Sequence, residues 1–155
     1  MKIFIGRHGQ ASFDAESDRA RPLTATGILE TEKLRDQYFS ELEQVQIIWA
    51  SDLKRANETA CLYASKLGLE IETKNFLSPE GDAKRVLKKL QSLDDEASVL
   101  IVSHQPLVGE LVSVLCEGNV YAAHPYVPSE IVVIECEVAE PGMGAIVGNY
   151  QPLRG

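Results

Sequence analysis

Apolar residues along this 155-residue chain fall alternately into short unbroken runs and into stripes at helical spacing, the pattern of strands that feed helices. Lys2 to Gly6 is a short run rich in strand-favouring residues and ends at a glycine, which predicts a first strand delivering Arg7, His8 and Gly9 to its carboxyl end. Thr24 precedes a stretch in which Ile28, Leu34, Tyr38 and Leu42 recur near helical intervals, and a threonine there can accept from a free N–H of the first turn. A second strand is predicted over Val45 to Ser51. It leads into a helix marked by Leu53, Ala56, Ala60, Tyr63 and Leu67, with Arg55 in its first turn and Gly68 as its stop.

Beyond a loop around Ser78-Pro79-Glu80-Gly81, the positions Val86, Leu87, Leu90 and Leu93 predict another helix. Ser98 to Ser103 is the most apolar strand, His104 follows it directly, and Pro106 can open a helix whose apolar positions are Leu107, Val108, Leu111, Val112 and Leu115. After a turn-rich segment from Gly118 to Pro128, strands over Ile131 to Val138 and Ala145 to Tyr150 flank Pro141-Gly142 as a closing hairpin. No repeat, low-complexity tract or linker interrupts the series. The fold class is therefore α/β, three-layer α/β/α with a mostly parallel central sheet, in one domain over residues 1–155. Such sheets bind ligands at the carboxyl ends of their strands, which would gather Arg7, His8, Arg55 and His104 along one edge.

Singly, each of these residues has an ordinary structural explanation, a hydrogen-bonded histidine or a solvated arginine. Together, two of the three histidines and two arginines occupy the ends of three strands. Guanidiniums can fork onto phosphate oxygens, one neutral imidazole can attack phosphorus, and a second can donate to the spreading charge. That set suits phosphoryl transfer better than acyl transfer. Histidine needs no partner base for this, because its ordinary pKa of about 6.5 leaves much of it neutral in the cell. The nucleophile's other ring nitrogen should donate to a fixed acceptor such as a nearby backbone carbonyl, which sets the tautomer.

Charge narrows the partners. A formal net charge of -8 excludes a general nucleic-acid or anionic-membrane binder, so an anionic ligand requires a local basic pocket. Cys61, Cys116 and Cys136 are odd in number, widely spaced and set in apolar runs, and read as buried reduced thiols. The Met-Lys-Ile-Phe-Ile start offers no signal-peptide core and no apolar stretch is long enough to span a bilayer, so a cytoplasmic, monomeric protein without membrane contact is expected. A metal site on His8, His104 and His124 is disfavoured by the neighbouring arginines and by the absence of ligand spacing; His124 reads as a surface or rim residue.

Arg7-His8-Gly9 after the first strand, Ser51-Asp52-Leu53-Lys54-Arg55-Ala56 with Thr59 after the second, and Ser103-His104 later resemble the histidine phosphatase superfamily, whose fold is phosphoglycerate mutase-like. Ser17-Asp18, Arg21-Pro22-Leu23-Thr24 with Gly27, and Ser103-His104-Gln105-Pro106-Leu107-Val108-Gly109 resemble its small SixA-type phosphohistidine phosphatases. The resemblance implies that His8 is phosphorylated, that Arg7, Arg55 and His104 hold the phosphoryl group, and that Arg21 is a further phosphate contact. Gly9 and Ser103 are additional substrate-binding candidates. No cofactor is implied.

Two departures bear on the substrate. Gln10 stands where many members carry an acidic residue, and the only candidates for a leaving-group acid are Glu80 and Asp82. A positioned acid contributes roughly 10²–10⁴-fold to departure of an alkoxide, whereas phosphohistidine leaves as an imidazole whose far nitrogen can already carry a proton. The expected substrate is thus a phosphohistidine-bearing protein such as a histidine phosphotransfer domain or phosphocarrier, with phosphate released. The alternatives are a small-molecule phosphomonoesterase using Glu80 or Asp82, and a non-catalytic module that binds phosphohistidine.

Overall fold

The computed structural model describes residues 1–153. Its elements are β1 (Lys2–Arg7), α1 (Ala25–Gln37), α2 (Phe39–Leu42), β2 (Ile47–Ala50), α3 (Lys54–Leu67), β3 (Ile71–Thr73), α4 (Ala83–Leu90), β4 (Ser98–Ser103), α5 (Leu107–Glu117), β5 (Ile131–Glu135) and β6 (Ala145–Tyr150), with a 3-10 turn over Asn75–Leu77. The strands form one sheet in the order β3-β2-β4-β1-β5-β6. The first three pairings of that order are parallel, while β5 runs antiparallel to both β1 and β6.

Strands covered on both faces lose the polar alternation of a half-exposed strand and read as continuous apolar runs. In β1, Ile3 and Ile5 pack on one face with Val99 and Ile101 of β4, against Val86, Leu87 and Leu90 of α4 and Leu111, Val112 and Leu115 of α5. Phe4, Leu100 and Val102 point the other way, toward Leu34 of α1 and Ala56, Ala60 and Tyr63 of α3. These two apolar layers hold the sheet between helix pairs and fix its upper edge. Arg7 pairs with Ser103 and Ala50 with Val102, so β1, β2 and β4 end at one level.

The helix ends follow their predicted chemistry. Thr24 accepts from Gly27 N at α1 and Gly68 closes α3 with a left-handed φ of 68°, while Asp82, read from the sequence only as a candidate acid, accepts from Lys84 N at α4. Four expectations need correction. The first helical stripe is broken: α1 buries Gly27, Thr31 and Leu34, which share one face, and Ile28 beside them is exposed. Tyr38 and Leu42 lie past its end, where Tyr38 stacks on Tyr150 at 4.0 Å. The short edge strand β3 was not foreseen, because Ile71–Thr73 is flanked and interrupted by Glu70 and Glu72 and offers almost no apolar run. The strand expected to run to Val138 stops at Glu135, and of the three free cysteines Cys61 is exposed on α3, next to the buried Ala60. No helix among the described residues is long and apolar enough to cross a membrane.

Candidate active site

Backbone bonds at the upper edge place the candidate residues. His8 N donates to the Ser103 carbonyl and Ser129 N to the His8 carbonyl, so the residue just past β1 is held by the end of β4 on one side and by the turn before β5 on the other. Gly9 N donates to Thr59 Oγ1 at 3.0 Å, and that hydroxyl donates to the Arg55 carbonyl at 2.8 Å. A Cβ on Gly9 would press on Ser129 Oγ, Thr31 Oγ1 and the Gly27 carbonyl at 3.0–3.1 Å, which explains why glycine follows His8. Gly27 is tighter still, since a Cβ there would run into the Gln10 carbonyl, backbone against backbone. Gly27→Ala is expected to cost about 1–3 kcal/mol of stability, read as a lower midpoint in urea unfolding.

His8 Nδ1 lies 2.7 Å from the Gly9 carbonyl oxygen. A carbonyl can only accept, so Nδ1 carries the proton and Nε2 keeps its lone pair. The His104 ring centroid is 5.0 Å from that of His8. His104 Nε2 is 2.8 Å from Ser51 Oγ, which itself accepts from Leu53 N at 3.3 Å. If the Ser51 proton goes to Nε2, the neutral ring presents Nδ1–H to the site. His104 Nδ1 and Arg55 Nε are both buried without a hydrogen-bond partner among the described residues.

Arg55, on the first turn of α3, gives Nη1 to the Asp18 carbonyl at 2.8 Å and approaches the Asp18 carboxylate with Nη2. Arg7 Nη1 donates to the Tyr126 carbonyl at 2.9 Å. Arg21 is turned inward by its loop: Nε donates to the Ser12 carbonyl at 2.9 Å, Nη1 faces Asp18, and the guanidinium lies 4.0 Å from the centroid of the exposed Phe13 ring. All three arginines act electrostatically on His8, so an acidic chain concentrates positive charge at this edge, as an anion site requires.

Burial opposes charging of His8 and is the main reason its pKa falls to about 4; the Gly9 bond works the other way, and Arg55, Arg7 and Arg21 add to the fall. Burial likewise brings His104 to about 3, helped by His8 and Arg55 and resisted by Asp18. Both rings are neutral at pH 7. An NMR titration of the free protein should show the His8 ring protonating near pH 4 rather than near 6.5, and a midpoint above 6 would contradict this environment. Because the unfolded chain takes up those protons near pH 6.5, stability is full above that pH and is lost as pH falls through the folded values.

Ser103 departs from expectation. Its hydroxyl is spent inward on the Leu77 carbonyl at 2.7 Å, so it supports His8 through its backbone rather than offering a hydroxyl to a ligand. Glu80 is exposed on a turn, and the Asp82 carboxylate caps α4. His124 is half-buried, edge-on to Tyr126, and its carbonyl accepts from Gln105 Nε2. Sequence reasoning missed the segment from Tyr126 to Glu130. Ser129, at φ 68°, shares a 2.8 Å bond with Thr31 Oγ1, and Glu130, 1% exposed, accepts from Val127 N and Asn149 Nδ2 while its backbone carbonyl takes Arg7 N. An acidic residue heading an apolar run was the one available signal.

An open cavity of about 810 Å³ lies at the opposite edge, lined by Lys2, Asp95, Glu96, Glu135 and Met143, and carries none of this chemistry. Among the described residues, no three His, Cys, Asp or Glu side chains cluster so as to hold a metal ion.

Comparison with known proteins agrees with the geometry. Residues 3–78 match the family described as the histidine phosphatase superfamily (branch 1). Phosphohistidine phosphatase SixA of Escherichia coli (strain K12) is 39% identical over 123 residues, covering 77% of this chain and 76% of that one. A SixA homolog of Haemophilus influenzae (strain Rd) is 42% identical over 127 residues, covering 74% and 77%. The solved structure of the protein histidine phosphatase SixA complexed with tungstate matches 98% of this chain and 97% of its own, at 34% identity and a TM-score of 0.88. Identity over most of the length and a shared fold lead to one assignment: this chain belongs to the histidine phosphatase superfamily.

Proposed function

We propose that this protein is a phosphohistidine phosphatase acting on a histidine-phosphorylated protein, with His8 as the covalent acceptor. The observation that carries this reading is the state of His8: a neutral ring whose Nδ1 proton is tied to the Gly9 carbonyl and whose Nε2 lone pair is left for phosphorus. Arg7, Arg55 and His104 hold the phosphoryl oxygens. Arg55 Nε and His104 Nδ1 are buried donors whose partners are supplied by such an oxyanion, which offsets the cost of leaving them unbonded. Arg21 adds positive charge beside them. Gly9 contributes through its backbone, its N–H on Thr59 and its carbonyl on His8.

The reaction has two steps. His8 Nε2 forms a bond to phosphorus as the substrate's P–N bond breaks, and water then attacks phosphorus, returning the electron pair to Nε2 and releasing phosphate. The substrate class is supported by the SixA relatives, which are phosphohistidine phosphatases. It is supported also by the positions of Glu80 and Asp82, one exposed on a turn and the other capping a helix. A histidine phosphotransfer domain or a phosphocarrier presents phosphohistidine on an exposed surface and suits a site at a sheet edge.

A panel containing a phosphohistidine-bearing protein, phosphoramidate and several phosphate monoesters tests the reading. The phosphohistidine protein is expected to give the highest kcat/KM. A sugar phosphate turned over faster than the phosphoprotein would overturn it in favour of the esterase.

A further inference from the structure

One carboxylate stands among the cations of the site. Asp18 Oδ2 lies 3.3 Å from Arg55 Nη2, and its Oδ1 lies 3.3 Å from Arg21 Nη1. Its loop is pinned to the start of α3, since Arg55 Nη1 donates to the Asp18 carbonyl, Lys54 N to the Arg19 carbonyl, and Arg19 Nη2 reaches Asp52 Oδ2 at 2.7 Å. The carboxylate is held in place, yet its exposure differs from that of its neighbours. His104 is 2% exposed and the Arg55 side chain 6%, whereas the Asp18 side chain is 63% exposed. These residues run from a buried floor to an open mouth, with Asp18 at the mouth.

In-line transfer puts nucleophile and leaving group on opposite sides of phosphorus. His8 is bonded into the strand end through the Gly9 and Ser103 carbonyls, so the leaving group departs on the mouth side. We propose that Asp18 accepts the ring N–H of the departing imidazole and thereby selects phosphohistidine against phosphate esters. This inference rests on the phosphohistidine reading given above.

The bookkeeping of atoms is simple when the far nitrogen of the substrate ring carries a proton. The Nε2 lone pair of His8 forms the new P–N bond, the old P–N bond breaks, and its electron pair stays on the substrate ring, which leaves as neutral imidazole. Neither ring proton moves: the Gly9 carbonyl keeps that of the incoming ring and Asp18 that of the outgoing one. A phosphate ester has no such N–H. Its leaving alkoxide brings negative charge toward a carboxylate with no proton to give: its burial raises the Asp18 pKa, but Arg21 and Arg55 outweigh this and hold it below the ordinary carboxylate range.

Asp18→Asn keeps the size of the side chain and removes its charge. We compare kcat/KM for a phosphohistidine-bearing protein with that for p-nitrophenyl phosphate, whose leaving group needs no acid. The ratio of the two is expected to fall by about tenfold or more, the worth of a charged hydrogen bond. A variant that slows both substrates equally, or neither, would overturn the inference, leaving Asp18 as a tether for the arginines. Asp18→Ser should give the same fall in the ratio, and circular dichroism verifies that both variants are folded. Failure of the substrate reading looks different: the wild-type protein would then hydrolyse p-nitrophenyl phosphate and leave phosphohistidine untouched.

Discussion

Replacing His8 with Ala is expected to lower kcat by at least about three orders of magnitude while the protein remains folded. No second group stands ready to accept the phosphoryl group. His104 has its Nε2 engaged by Ser51, and its remaining nitrogen, Nδ1, is buried. The neighbouring framework does not depend on the His8 ring, because the strand end is held by His8 N on the Ser103 carbonyl and Ser129 N on the His8 carbonyl, both of which survive in alanine. The arginines also remain, so the variant should still retain a phosphohistidine protein that it cannot turn over. Steady-state hydrolysis together with a binding assay checks both halves. Turnover within tenfold of the wild type would remove His8 from the chemistry, and a wild-type protein with no turnover would favour the binding module.

Arg55→Lys is expected to reduce kcat/KM by about 10²–10³, the usual cost of removing one preorganised donor to a transferring group. The substitution keeps the charge and loses the geometry. Arg55 uses Nη1 and Nη2 to grip Asp18, and its Nε is buried without a hydrogen-bond partner among the described residues. An ammonium on a flexible stem has no fork and cannot hold Asp18 and a phosphoryl oxygen in fixed directions. Competitive inhibition by tungstate should weaken in parallel, since it reads the same oxyanion contacts without any leaving group. A lysine variant with near wild-type kcat/KM would mean that charge alone suffices at this position.

The parts legible in the sequence are those set by local pattern. Ile3, Phe4 and Ile5 form an unbroken apolar run because both faces of β1 are covered, and Thr24, Gly68 and Pro106 mark helix boundaries by their own backbone and side-chain chemistry. The Arg7-His8, Arg55 and His104 positions followed from those boundaries plus the rule that strand ends make the cleft. Other parts were not legible because they arise from contacts distant in the chain. Ser129 meets Thr31 across 98 residues and has no local mark, and the only local mark of Glu130 is its place at the head of an apolar run, since its bond to Asn149 spans 19 residues. The Ser103 hydroxyl was equally illegible, since it bonds the Leu77 carbonyl, 26 residues away. Ile28 failed for a simpler reason. Its spacing fits a helix, but the buried face of α1 is the one carrying Gly27, Thr31 and Leu34.

Covalent capture on His8 is the claim on which the rest depends, and rapid quenching addresses it directly. The protein is mixed with a histidine-phosphorylated phosphotransfer domain carrying labelled phosphate, stopped in alkali within one turnover, and digested to locate the label. The account predicts label on the peptide containing His8, stable in alkali, lost in acid, and formed at least as fast as phosphate is released. Absence of label on that peptide while phosphate is being released, or label that survives acid, would contradict it.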